Sequence, residues 1–181
     1  MDPIGAESLN LNGQLTLLNM LRDDQWLLVP ITNSGYGVGE QGKFCTEETP
    51  LRPLSLYGKH KVEVETAALI RPNTISFRLA TVFGAAPRMR IDLLVNDFVH
   101  RAVTDRAVVL FESHFKRNYI HIRDVTEAFL HGIRNFESVR GGPYNVGLSD
   151  ANISKFELCE RIQEQVPNFV FLEAAIGEDP D

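Results

Sequence analysis

The chain has 181 residues, 44% of them hydrophobic and 23% charged, which is enough apolar material for a core in one domain or in one large piece of a domain. The net charge of −6 and the lack of any basic run argue against nucleic-acid or anionic-membrane partners, because phosphate binding on that scale needs a basic surface. No apolar run approaches the ~18 residues that span a bilayer, and the N-terminus lacks a basic-then-apolar leader, so a cytoplasmic protein without a membrane partner is expected.

Residues 4–22 place Leu9, Gly13, Thr16, Leu17 and Met20 on one helical stripe, which Asp23 and Asp24 end. Residues 26–31 are nearly all apolar, as in a parallel strand covered on both faces. Next comes Gly37-Val-Gly39-Glu-Gln-Gly42, a literal Gly-x-Gly-x-x-Gly. A dinucleotide-binding turn must open a helix whose N-terminus faces the phosphates, with an acidic residue about 20 positions on. Here Lys43 to Leu54 holds Pro50 and Pro53 and no helical repeat, so the pattern is read as part of a surface loop. Ser55 caps a helix over 55–70, and Arg71-Pro-Asn73 ends it before a strand over 74–80. A helix over 89–103 and short strands over 107–111, 118–122 and 143–146 follow. Asp124-Val-Thr-Glu127 resembles a capping box, and Ser154-Lys-Phe-Glu157 is one, opening a stripe of Phe156, Cys159, Ile162 and Val166. Helix, strand, helix, strand is an α/β pattern. It starts with a helix and ends in the charged tail 177–181, so the sheet looks as though it begins in its middle. Cys45 and Cys159 have no metal-ligand or redox spacing, and the five histidines have none either; a reducing compartment fits.

Tyr57 and Lys61 stand at i and i+4, on one face of the first turns of the 55–70 helix. A phenol is a weak base at neutral pH, and a fixed cation close by favours its phenolate. The alternative is an exposed Tyr/Lys pair on a solvated face. "HIRD" at 121–124 is read as a strand running into the Asp124 cap.

The segments "TNSGYG", "TEETPLRPLSLYGKHKVEVE", "FRLATVFG", "RNYIHIRDVTEAFLHGI" and "YNVG", in this order, resemble the NAD(P)-dependent epimerase/dehydratase family, extended short-chain dehydrogenases that act on nucleotide sugars. The resemblance runs from "LNLNGQLTLLNML" through almost the whole chain. It implies an α/β fold with a Rossmann-like parallel sheet and flanking helices, lacking the first βαβ half and carrying part of a small C-terminal substrate-binding region. Residues 1–84 would be the second half of the NAD(P)-binding domain, and 85–181 the substrate region mixed with returning Rossmann elements. By the same resemblance the phosphate-binding glycine turn would precede Met1 and a shorter piece would follow Asp181.

Carried over residue by residue, the resemblance makes Thr32, Tyr57 and Lys61 catalytic. Thr32 would hold the reacting sugar oxygen, Tyr57 would take its proton, and Lys61 would lower the tyrosine pKa and bind the nicotinamide ribose. Asn10, Tyr57, Lys61 and Leu79 would face NAD or NADP, with an ordinary helix residue as the alternative for Asn10. Thr32, Asn33, Thr81, Arg88 and Arg117 would face the nucleotide sugar, Arg117 at its diphosphate; for Arg88 and Arg90 a solvated role is the alternative. Family dehydratases follow the hydroxyl residue with an Asp-Glu pair that performs the elimination, whereas Thr32 is followed by Asn33 and Ser34; epimerase or ketoreductase is therefore expected over dehydratase. Thr81 stands where epimerases often carry an asparagine. The resemblance also implies a homodimer through the 4–22 and 55–70 helices. The competing reading is a catalytically silent chain serving as a dimerisation or nucleotide-sugar-binding module.

Overall fold

The computed structural model describes residues 2–39 and 44–174. Gly42, which completes the glycine pattern, and the 177–181 tail lie outside them. The chain packs as two compact units, Met1–Ala80 with Val125–Val146, and Thr81–Asp124 with Gly147–Asp181.

The first unit is a parallel sheet with helices on both faces. Its strands β1 (Leu27–Thr32), β2 (Thr74–Leu79) and β6 (Gly142–Val146) run in the order β1-β2-β6. The central β2 is buried almost throughout, as a strand paired on both sides and covered on both faces must be. Leu27, Val29 and Ile31 of β1 pack with α2 (Gly13–Met20) and α3 (Leu56–Leu69) through Leu15, Leu18, Val64 and Ala68. The opposite face, with Leu28, Ile75 and Phe77, packs on Phe129 of α5 (Ile122–Arg134) and Phe136 of α6 (Phe136–Val139). Gly132 lets α5 approach closely, since a Cβ there would lie 2.8 Å from Phe77 Cζ.

The N-terminal helix departs from the expected stripe. Between α1 (Pro3–Glu7) and α2 lies a π-helical stretch, Ser8–Asn12, whose wider turn rotates the face that follows. Leu11, Leu15 and Leu18 therefore meet the core, while Leu9, Leu17 and Met20 of the expected stripe are exposed.

In the second unit β3 (Thr81–Phe83) pairs parallel with β5 (Lys116–His121), and β5 pairs antiparallel with β7 (Asn152–Ser154). A separate parallel pair joins β4 (Ala107–Leu110) to β8 (Val170–Glu173). The core is Phe98 of α4 (Leu94–Thr104), Leu110, Tyr119, Phe169 and Leu158 and Cys159 of α7 (Lys155–Gln165). Two expectations are corrected. α4 starts at Leu94 and not at Met89, because Asn96 accepts from Gly84 N and donates to Arg90 O, holding the preceding residues in a turn. Asp124 is not a cap, because α5 has already begun at Ile122, with His121 Nδ1 accepting from Arg123 N. The Ser154 capping box forms as expected. Among the described residues no helix is long and apolar enough to cross a membrane.

Candidate active site

Thr32 is the last residue of β1, in register with Leu79 of β2, which pairs in turn with Val146 of β6. These residues mark the carboxyl edge of the parallel sheet, where open α/β sheets bind ligands. The backbone then enters a 3₁₀ turn, Asn33–Tyr36, with Thr32 as its cap: Thr32 Oγ1 accepts from Ser34 N at 3.2 Å and lies 2.7 Å from Ser34 Oγ. Asn33 is half-buried within this turn.

The start of α3 abuts the turn. Ser55 Oγ accepts from Gly58 N at 3.0 Å and fixes the first turn. Gly58 is buried, and a Cβ on it would lie 3.1 Å from Pro53 Cβ, 3.2 Å from Ser55 Oγ and 3.5 Å from the Ser34 carbonyl oxygen. Small size at Gly58 therefore lets the helix turn that carries Tyr57 meet the turn that carries Thr32 and Ser34. Gly37 is needed for a different reason. Its φ is 70°, and a Cβ there would stand 2.1 Å from the Arg52 carbonyl oxygen. It closes the loop on its own backbone, which leaves no phosphate cradle at that residue.

Lys61 Nζ lies 5.9 Å from the centroid of the Tyr57 ring, on its face, and donates to Gln14 Oε1 at 3.5 Å. Burial pushes the Tyr57 phenol above its ordinary value and the Lys61 ammonium below its own. The i, i+4 spacing predicts that the cation lowers the phenol pKa; here burial prevails. Gln14 is a residue that the sequence argument misses. It follows Asn10 by four positions, and that spacing is the available signal. Asn10 itself lies half-buried in the π-helical stretch, a kind of distortion common at functional sites.

The remaining candidates belong to the second unit. Thr81 opens β3 opposite Tyr119, Arg117 is half-buried on β5 opposite Ile153, and Arg88 is exposed in a turn. Arg90 is exposed and paired with Asp92, in keeping with its solvated alternative. Thus Asn10, Thr32, Asn33, Tyr57, Lys61 and Leu79 share one unit, and Thr81, Arg88 and Arg117 the other.

The sequence profile of the NAD dependent epimerase/dehydratase family matches residues 2–147. The chain belongs to this family. Among solved structures it is similar to UDP-glucose 4-epimerase from Thermus thermophilus in complex with NAD, at 25% identity and a TM-score of 0.83, over 99% of this chain and 60% of that one. It is also similar to dTDP-glucose 4,6-dehydratase from Bacillus anthracis str. Ames in complex with NAD, at 24% identity and a TM-score of 0.80, over 96% of this chain and 58% of that one. RMD from Pseudomonas aeruginosa, complexed with NADPH, aligns at 19% identity and a TM-score of 0.82, over 95% and 63% of the two chains. The epimerase/dehydratase fold with its Rossmann-like parallel sheet is thereby established, and this chain spans about 60% of the length of these relatives.

Proposed function

We infer that this chain supplies the substrate-side catalytic half of an NAD- or NADP-dependent oxidoreductase that works on a nucleotide sugar, with Thr32, Tyr57 and Lys61 as its reacting set. The observation that carries this reading is the meeting of the Thr32 turn with the first turn of α3 at the carboxyl edge of the sheet. Thr32 holds the sugar oxygen by a hydrogen bond, and Tyr57 takes the hydroxyl proton as its phenolate and returns it in the reverse step; the positive charges of Lys61 and of an oxidised nicotinamide would have to offset the burial that raises its pKa. NAD or NADP, when bound, accepts and gives back the hydride of the same carbon. Lys61, with Asn10 and Leu79 of the same unit, fits the nicotinamide-ribose end of such a cofactor. The pyrophosphate end is not matched: among the described residues no strand runs through a glycine-rich turn directly into a helix N-terminus.

Epimerisation or ketone reduction suits the site better than dehydration. The turn after Thr32 presents Asn33 and Ser34, and the hydroxyl of Ser34 is turned to Thr32. Glu47, a carboxylate of the same loop, accepts from Asn145 N at 2.7 Å and so is engaged with the backbone. At the two positions after Thr32 a leaving hydroxyl would find no carboxylic acid. Thr81, Arg88 and Arg117 are proposed to bind the nucleotide sugar, Arg117 by its planar donors at the diphosphate. In a chain completed to the length of its relatives, Tyr57→Phe should cut turnover of UDP-glucose by ~10²–10⁴-fold while leaving its binding nearly unchanged. Retention of more than about a tenth of the rate would remove Tyr57 from the role of base.

A homodimer through the N-terminal helix and α3 is supported by Ile4, Leu9, Leu17, Met20 and Ile70, all exposed, and by a groove of about 540 Å³ between Leu15 and the outer face of α3. A strictly monomeric sedimentation profile at high concentration would count against it. The two free cysteines agree with a reducing, cytoplasmic setting.

A further inference from the structure

Behind the site lies a buried polar relay inside the first unit. Arg78, on the central strand β2, is 6% exposed, and Glu65, on α3, is 2% exposed. Arg78 Nε donates to the two Glu65 carboxylate oxygens at 3.0 and 3.1 Å, and Nη2 donates to Oε2 at 2.8 Å. Ser76 Oγ donates to Glu65 as well. The other edge of the guanidinium points to the loop: Nη1 donates to the Tyr36 hydroxyl at 2.8 Å and to the Glu47 carbonyl at 3.1 Å. Tyr36 in turn donates to Asn145 Oδ1 at 2.7 Å, and Asn145 Nδ2 donates to the Cys45 carbonyl at 3.2 Å. The hydrogen bonds thus form one continuous chain from the loop to the helix, and each link polarises the next.

Two members of this relay, Tyr36 and Glu65, stand on the elements that carry the two halves of the candidate site. Tyr36 closes the 3₁₀ turn that Thr32 caps and that holds Ser34. Glu65 follows Lys61 by four positions and Tyr57 by eight, so its ion pair with Arg78 fixes the rotation of α3 about its own axis. We propose that Arg78 is a positioning residue for this site, a single buried guanidinium that keeps the Thr32–Ser34 hydroxyls and the Tyr57/Lys61 helix start in one common frame. A rigid planar fork is needed to serve partners on two of its edges at once, and a lysine cannot do it. A buried pair of this kind adds little net stability over a packed apolar pair, and specifying one arrangement is the use that best accounts for retaining it. The assignment of a catalytic purpose rests on the reading under Proposed function.

The chain has four tyrosines, so labelling the Tyr Cζ positions with ¹³C gives one resonance for each. In Tyr36→Phe and in Arg78→Lys, the α3 start should loosen from its frame and the Tyr57 phenol, held high by burial, should titrate lower by about half a pH unit or more. Tyr119, in the other unit, should keep its wild-type titration, and Glu65→Gln should resemble Arg78→Lys. If Arg78→Lys fails to fold, Tyr36→Phe, which deletes one hydroxyl, carries the test. An unchanged Tyr57 titration in a folded Tyr36→Phe chain, or an equal shift in Tyr119, would overturn the positioning role. Titration of the wild-type chain with UDP-glucose separates the two claims: no binding, with Tyr57 still coupled to Tyr36, would overturn the enzymatic reading and leave the anchor standing.

Discussion

Cys159 and Tyr119 share the interior of the second unit, and burial pushes the thiol from 9.0 and the phenol from 10.0 both up to about 12. At a pH below those ordinary values both groups are neutral in the folded and the unfolded chain, and neither makes stability depend on pH. As pH rises from 9 toward 12 the unfolded chain releases protons that the folded chain retains, so unfolding is increasingly favoured. Tyr36 and Tyr57, raised by burial, act in the same sense; Lys61, lowered by burial, acts in the opposite one and blunts the slope. The urea midpoint should therefore fall steadily above pH 9, and Cys159→Ala should flatten the first part of that fall. At neutral pH the half-exposed Cys45 should react with a disulfide reagent at once and Cys159 only on unfolding. A flat alkaline limb with both thiols reacting together would contradict this. At this scale the sequence displays what is local: spacing puts Tyr57 and Lys61 on one helix face, whereas Thr32 enters only through the family resemblance. It hides what is remote, since Gln14 lies 47 residues from Lys61 and Asn145 lies 109 from Tyr36.

Helix starts show how far local chemistry reaches. In the Ser154 box, Ser154 Oγ accepts from Glu157 N at 3.1 Å and Glu157 Oε2 accepts from Ser154 N at 2.6 Å, so Ser154→Ala should cost about 1 kcal/mol. Asp124 carries a similar sequence signal but sits inside α5, exposed, so Asp124→Ala should stay within about 0.5 kcal/mol of wild type. Urea denaturation of the two variants measures the contrast, and equal losses would restore Asp124 as a cap. The mistaken cap has a physical source: β5 passes into α5 without a loop, and the His121 ring does the capping that a short polar side chain usually does. The same limit applies to the N-terminal helix. A strict 3.6-residue period cannot register a π-helical turn, so the expected apolar stripe falls on the exposed side. Strands β1 and β2 are readable because they are largely apolar and parallel, whereas β7 and β8 are short and owe their form to partners far along the chain.

For the whole molecule, the order of helices and parallel strands is legible because each crossover in such a sheet has its own apolar signature. The division into two units is reached only through the family resemblance, with its returning Rossmann elements in 85–181; that 125–146 are the residues that rejoin the first sheet depends on contacts made across the chain. The same architecture sets what the 181-residue chain can do unaided. On the function proposed above, Lys61, Tyr57 and Asn10 would meet only the nicotinamide end of a dinucleotide, at the carboxyl ends of β1 and β2. Tight binding in this fold also draws on backbone N–H groups at a glycine turn and on the dipole of the helix it opens. Gly37, the first glycine of the sequence pattern, is packed against the Arg52 carbonyl and cannot serve. Without the pyrophosphate and adenosine contacts the affinity should drop by several kcal/mol, a thousand-fold or more at ~1.4 kcal/mol per decade. Calorimetric titration with NAD and with NADPH should therefore show no binding tighter than about millimolar. Micromolar binding of either would mean that the dinucleotide is held elsewhere on the chain, and the roles assigned to Tyr57 and Lys61 would have to be redrawn around that site.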